Sequence, residues 1–452
     1  MSIRHLFFQR PLGAVATLAA LGCSLCAVTA GAADVPVTPL PRPVSTTALP
    51  PASTTPVSLS LTQVLQAAQR NPDVLAAQRA LQAARADVLT ADRAPAPTLS
   101  AGVASIDLQK GVGNGSIWEK KLDKSLGLDW TWERGNKRAL RTELAERLVK
   151  VAQADGQDAW VMQQIGAQAA FYDLLASQQR LQTVQAMAQS AAQLAQSAER
   201  RLKAGDLSAQ DASRTRIEAD RARADVQSAT LEQQQAAQAL TLWTGQQVPS
   251  GGWQAQADWP GAQALTAPDD SAMDALVEQR PDVIAARARV EAAQTAVQAA
   301  QALRQIDPTV GTSVNHFPGT STRLLAFRLS VPLTGGQRFD GEMGRALALE
   351  EQSRDLLQKT LLQAHAELSS QLQAWQASAE RLKIYDEAIL PQATRVAAQA
   401  ETAYSKGGLT LTDLLDARRT LKTTQLEALG VRSEHAKAQG AWQLRQGAAV
   451  PR

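Results

Sequence analysis

Asp413 and Asp416 stand three residues apart, just after the run Lys406-Gly407-Gly408-Leu409-Thr410. On a helix that spacing puts both carboxylates on one face. Acids so placed can cap a helix, hold cations or, repeated about an axis, form a charged ring facing a pore. Asp413 follows Thr410 by three residues and Asp211 follows Ser208 by three. Both therefore occupy the place of a capping-box acid, and plain capping is the simpler reading of each; Asp416 has no such account. The remaining chemistry is sparse. His316, His365 and His435 are scattered, unlike any metal-ligand spacing. His316 falls on an expected strand, and the other two on helices where a polar surface face is the expected home. The only cysteines, Cys23 and Cys26, lie in an N-terminal apolar run, so a processed chain would have no thiol chemistry. There is no Gly-rich phosphate loop. The chain has the residues of a conduit rather than an enzyme, with no resident metal or cofactor.

What positions these acids is a long-range pattern. The 452 residues carry a net charge of +3, with 46 basic and 43 acidic residues intermixed and 4% aromatics. That balance excludes a nucleic-acid-binding surface, and the abundance of Ala, Gln, Leu and Arg favours long helices. Arg4, Arg10, the apolar run Leu12 to Val28 and the small residues Ala30-Gly31-Ala32 predict an export signal over 1–32. A membrane anchor is the rival, but the run is short and no stop-transfer pattern follows. Ala20-Leu21-Gly22-Cys23 weakly matches a lipoprotein box, which would leave Cys23 lipidated; the apolar run continues past it, which favours cleavage near Ala32. Residues 33–57, rich in Pro, Thr and Ser, predict an extended or disordered linker. No later apolar run is long enough for a membrane helix, so membrane contact is left to strands or a lipid.

The rest of the chain says the same thing twice. Pro72-Asp73-Val74 is answered by Pro281-Asp282-Val283, Gln179-Arg180-Leu181 by Glu380-Arg381-Leu382, and Gly205, Leu207 and Asp211 by Gly407, Leu409 and Asp413. Two structural repeats follow, 58–248 and 271–447, joined by an irregular equatorial belt at 249–270. Each reads as a helix, two strands, a very long helix, a glycine turn and a last helix. The first helices span 59–93 and 271–305, with breaks at Asn71-Pro72 and Arg280-Pro281.

Strands are expected at 98–108 and 125–133, and again at 309–317 and 323–333. Leu126, Leu128, Trp130 and Trp132 alternate with mostly polar or small residues, as do Leu325, Phe327, Leu329 and Val331. A soluble sheet would hide this apolar face on a core; a barrel would turn it to lipid. No other segment offers a cover, the export signal favours the barrel, and Trp130 and Trp132 sit where interfacial aromatics belong. Four strands cannot close a barrel alone, since single-chain barrels start at about eight. Open edges cannot face lipid, so several chains must each supply four strands.

The long helices, 137–204 and 338–405, would each extend roughly 100 Å. Leu174, Leu181, Ala188, Ala195 and Leu202 repeat every seven residues, and Leu361, Leu368, Trp375, Leu382, Ile389, Val396 and Ala403 do the same. Sustained sevens mean coiled-coil packing. Pro391 should bend the second long helix. The last helices, 208–244 and 410–446, are about half as long, so a last and a first helix would stack end to end beside each long one.

In order and in local strings this chain resembles the TolC family of outer-membrane efflux ducts. Leu390-Pro391-Gln392-Ala393, Ala403-Tyr404-Ser405-Lys406-Gly407-Gly408-Leu409 and Asp413-Leu414-Leu415-Asp416-Ala417 resemble the second-copy tip, and Gly205 to Asp211 the first. Gly135-Asn136-Lys137-Arg138 resembles the heavy-metal branch, as does Gly335-Gly336-Gln337-Arg338 in the second copy. The resemblance implies a mainly α fold with a β-hairpin per repeat. It further implies duplicated coiled-coil helices forming an α-barrel in the periplasm, and a homotrimer whose twelve strands form one outer-membrane β-barrel. By the same resemblance Asp413 and Asp416 line a periplasmic gate, with Tyr404, Asp211 and Gln210 in the constraint network around it. Gly205, Asp206, Leu207, Gly407, Gly408 and Leu409 would dock a periplasmic adaptor (a membrane fusion protein) that joins the duct to an inner-membrane RND pump. Leu409 departs from the Arg with which some members tie the gate.

The implied function is a passive duct of a tripartite efflux pump, set in outer-membrane lipid and exporting metal cations or small toxic compounds. A type I protein-secretion exit duct and a soluble periplasmic coiled-coil scaffold are the alternatives.

Overall fold

The computed structural model describes residues 56–106, 109, 122–262, 268–318, 321–333 and 339–446. The expected export signal, Cys23, the Pro-rich linker before Pro56, the last residues of the first expected strand and Gly335 to Arg338 lie outside these residues.

The chain runs β1 (Val57–Leu59), α1 (Leu61–Ala68), α2 (Pro72–Ala91), β2 (Thr98–Ala104), β3 (Asp123–Thr131), α3 (Lys137–Lys203) and α4 (Ala209–Thr244). A short β4 (Trp253–Ala255) precedes α5 (Asp270–Glu278), α6 (Pro281–Ala302), β5 (Thr309–Phe317), β6 (Ser321–Ser330), α7 (Asp340–Ile384), a π-helical turn (Tyr385–Ile389), α8 (Leu390–Ser405) and α9 (Leu411–Arg445). The belt is thus not wholly irregular: β4 pairs in parallel with β1. The expected first helices are each two helices, broken where Asn71 and Arg280 take extended backbone ahead of a proline at the first helical position.

Four strands form one antiparallel sheet in the order β2-β3-β5-β6. Both ladders onto β5 begin at Thr309, paired with Thr131 and Ser330. Pro308, just before it, has no N–H to give, so Trp132 and Val331 fall beyond the strands that were expected to hold them. Trp132 keeps a single bond, donating its N–H to the Pro308 carbonyl at 2.9 Å. β2 is also shorter than expected, since the chain turns at Ser105 with φ 63°.

The long helix α3 has 67 residues, about 100 Å of wall. α2 and α4 meet end to end beside it at Asn71. The Asn71 side chain accepts from the Asp73 N–H, capping α2, and donates to the Leu242 and Trp243 carbonyls at 2.7 and 3.1 Å, closing α4. In the second copy Arg280 stands in that place and is buried. It grips Asp282 through two nitrogens at 3.0 and 2.7 Å, and reaches the Ala364 carbonyl and Glu367 on α7. Two cores flank these junctions. Val64, Ala68, Phe171, Leu174 and Leu240 lie in one, and Met273, Val277, Leu368, Trp375 and Trp442 in the other.

The seven-residue ladder of the second copy holds through Leu368, Trp375 and Leu382 and then fails. Ile389 and Val396 are exposed, while Ala393, Ala397 and Ala400 are buried. The cause is the π turn, where the Leu390 N–H bonds the Tyr385 carbonyl five residues back. Such a turn adds one residue to the helix, so the seam moves from Val396 to Ala397. Pro391 follows at once and has no N–H for an ordinary helical bond, which makes this the cheapest place for the irregularity.

His435 also departs from its expected surface position. It is fully buried in α9, beside Ser378 of α7 at 3.2 Å and the belt carbonyl of Gly261 at 3.3 Å. Burial holds its imidazole below the usual pKa, only partly offset by the Gly261 bond. An unfolded chain with His near 6.5 therefore takes up the proton first, and stability is full above that pH and falls as pH drops through it. His435→Gln should flatten the decline in apparent melting temperature of the detergent-solubilised protein between pH 7 and pH 5. An unaltered decline would assign it to other groups.

Candidate functional site

The sheet presents two unlike faces. Leu128 pairs with Leu99 and Thr312, and Thr312 with Phe327; Leu126 pairs with Ala101 and Val314, and Val314 with Leu325; Trp130 pairs with Val310, and Val310 with Leu329. Directly opposed residues share a face, so these rows build one continuous apolar surface. It is bare: Leu99 is 70% exposed, Trp130 64%, Phe327 78% and Leu329 68%. The other face carries Ser100, Ser125, Gly127, Asp129, Ser313, Asn315 and Arg328. There Arg328 and Asp129 approach to 4.0 Å across Gly311, where any side chain would collide with the Asp129 carboxylate.

Below the sheet, the Gly135-Asn136-Lys137 corner stitches the two copies together. Gly135 takes φ +73°, and a β-carbon there would run into Gln305. Lys137 donates to the Gln305 carbonyl at 2.7 Å and to Asp307 at 2.6 Å, while the Arg134 N–H donates to Asp307 at 2.8 Å. This string is therefore explained by a fold contact between copies.

At the far end of the helices lie the two tips. Gly205 and Gly407 adopt φ +81° and +76°, ending α3 and α8 with the left-handed residue such turns require. Ser208 donates to the Asp211 carboxylate at 2.7 Å and accepts from the Asp211 N–H at 3.0 Å. Thr410 does the same with Asp413, at 2.6 and 3.2 Å. Both acids thus join the caps, but through the cap hydroxyl rather than the cap backbone N–H that a capping box would use. Asp416 is exposed and among the described residues has one ion-pair partner, Arg419, at 3.7 Å on its own helix. The Tyr404 hydroxyl accepts from Arg201 of α3 at 3.2 Å.

Besides this bond from Arg201 to Tyr404, the links between the two tip hairpins are made by residues that spacing alone did not single out. Arg214 donates to Thr412 at 3.1 Å, Arg419 binds Glu218 at 2.9 Å, and Lys422 pairs with Asp225. They flank a cavity of about 140 Å³ lined by Met187, Leu194, Ala222 and Leu415. The signal was present, as opposite charges on the aligned helices α4 and α9, but partner choice needs the relative height of the helices.

Two stretches of the chain, 64–246 and 272–445, match the family described as Outer membrane efflux protein. This chain belongs to that family. The cobalt-zinc-cadmium resistance protein CzcC of Cupriavidus metallidurans is 27% identical over 308 residues, covering 66% of this chain and 71% of CzcC. The pyoverdine export outer membrane protein OpmQ of Pseudomonas aeruginosa is 29% identical over 192 residues, covering 38% and 40%. In architecture the chain is similar to CusC, with a TM-score of 0.73 at 18% identity over 86% of this chain and 92% of CusC. It is likewise similar to VceC of Vibrio cholerae, at 0.68 and 21% over 86% and 96%. As an outer membrane efflux protein it is a channel component, and its mainly helical fold is that of the TolC-like channels.

Removing either tip hydroxyl, Ser208→Ala or Thr410→Ala, should cost about 1 kcal/mol of local helix stability. The amides of 209–211 or 411–413 should then exchange with deuterium roughly fivefold faster. Unchanged exchange would mean that the caps are not what holds the tips.

Proposed function

We propose that this efflux protein is the passive outer-membrane duct of a tripartite pump, working as a homotrimer with no catalytic chemistry of its own. The observation that carries the reading is the bare apolar sheet with β2 and β6 at its open edges. Unpaired edge groups are too costly in hydrocarbon, so the sheet must close with other copies. Three four-stranded sheets make twelve strands, enough for a membrane barrel. Among the described residues no helix is long and apolar enough to cross a membrane. Residues 58–248 and 271–447 are then two repeats, each giving one hairpin and one long helical wall to a periplasmic tunnel. Gly205, Asp206, Leu207, Gly407, Gly408 and Leu409 are the docking tips for an adaptor that leads to an inner-membrane RND pump. Leu126, Leu128, Trp130, Leu325, Phe327 and Leu329 face lipid, with Trp132 and Val331 at the margin.

The cargo we favour is metal cations, because the likeness to CzcC spans most of both chains. The shorter likeness to OpmQ supports a small organic cargo as the second reading. Deleting the gene should lower tolerance of zinc, cobalt or cadmium. Loss of tolerance to organic toxicants alone would move the assignment to the second reading. The protein should fractionate with outer membranes as a heat-modifiable trimer, and a monomer stable in buffer without detergent would overturn the duct.

The gate in this reading is a ring of Asp413 and Asp416, with Tyr404, Asp211 and Gln210 around it. Asp413 is shared with the cap of α9, so Asp416 supplies most of the free charge. Asp416→Asn should weaken block by divalent cations in planar bilayers, and Asp413→Asn should add less. If neither changes conductance or block, these acids do not line the entrance.

A further inference from the structure

We propose that the inner end of the sheet binds the phosphate of an anionic phospholipid headgroup, in the leaflet nearest the helices. The inference rests on the sheet lying in a membrane. A cleft of about 560 Å³ opens there, lined by Trp132, Arg134, Lys137 and Arg138 together with Asp92 and Glu133. The charges around it do not cancel. Asp92 is engaged by Arg138 at 3.0 Å, and Glu133 by Arg141 through two nitrogens. Asp307, which could have reached the corner, is taken by Lys137 and by the Arg134 N–H. The Arg134 side chain is exposed and has no ion pair among the described residues. Arg93, whose carbonyl is bound by Arg141 at 3.2 Å, has none either. Arg134 is therefore the cation of the cleft left without an acid, while Arg93 stands outside the lining and is tied to this corner only through its carbonyl.

Depth favours a lipid over a free anion. Trp130 is one row in from the last pair of the β3-β5 ladder, Thr131 with Thr309, and Trp132 beyond that pair is 69% exposed. Arg134 lies two residues further, roughly 7 Å if the chain stayed extended. The headgroup layer outside a hydrocarbon core is about 5–8 Å thick on each side. Tryptophan at this level and arginine just past it match the order of acyl boundary and phosphate. The planar guanidinium can meet a phosphate with two parallel hydrogen bonds, and the apolar sheet face beside it would take the acyl chains.

The test uses the full-length protein in a non-ionic detergent, with dioctanoyl phosphatidylglycerol, dioctanoyl phosphatidylcholine or inorganic phosphate added. Native mass spectrometry reads the lipid retained. The wild type should retain phosphatidylglycerol in preference to phosphatidylcholine, and Arg134→Gln should reduce that preference by roughly fivefold. Arg134→Lys keeps the charge but not the paired bonds, so it should fall between the wild type and Arg134→Gln, which guards against a general folding defect. Equal retention of the two lipids, an unaffected Arg134→Gln variant, or competition by inorganic phosphate at equal concentration would each overturn the site. Failure of the membrane reading looks different: the wild type would then not fractionate with membranes at all.

Discussion

The pairing of β3 with β5 is the contact on which the two halves of the molecule depend. It is the only ladder among the described residues that joins a strand of the first copy to one of the second. Its register is set by small residues at close crossings: Gly127 opposite Ser313, and Gly311 opposite Asp129. A slip of one residue would send Leu126, Leu128 and Trp130 to the polar face and strand Asp129 among apolar neighbours. The corner beneath the ladder reinforces that register. Lys137 reaches Asp307, and Gly135 leaves room for Gln305. Sheet register and the relative height of α3 and α6 are therefore one variable.

Two copies with the same plan have diverged where their helices meet. Asn71 joins α2 to α4 with a neutral amide that satisfies orphan backbone groups at both ends. Arg280 replaces that amide with a buried cation paired with Asp282 and Glu367, and Glu367 extends the chain to Arg445 and, through it, to Asp158 of α3. With both arginines buried and their acids partly exposed, such a network is weak as a source of stability but demanding in geometry, since losing an acid leaves a buried cation unpaired. The second copy is thus held at its equator by a more exacting contact than the first, and it is also the copy whose long helix is interrupted.

Much of this was legible in the sequence, and the misses have physical causes. The duplicated Pro-Asp-Val and Gly-x-Leu strings located both helix junctions and both tips, because proline and positive-φ glycine act through the backbone alone. The alternation of Leu126, Leu128 and Trp130 located the sheet and its apolar side. Strand ends were misjudged, because the limiting residue for Trp132 and Val331 is Pro308, which is far from Trp132 in the chain. Burial of His435 depends on a belt segment 174 residues away. The bond from Arg201 to Tyr404 was not legible for the same reason, since the packing of α3 against the second tip makes that choice rather than any local spacing.

The extra residue at Tyr385–Ile389 has a consequence for how the tip is aimed. One residue is about 100° of azimuth and about 1.5 Å of rise along a helix. Everything in α8 below that point, including Glu401 and Tyr404, is therefore turned relative to α7 as if the two were separate pieces of rod joined off-phase. A relative that lacked this single residue would keep the same side chains in the same order, yet would point them in different directions. Along this stretch of the family, a one-residue gap between aligned sequences is a rotation.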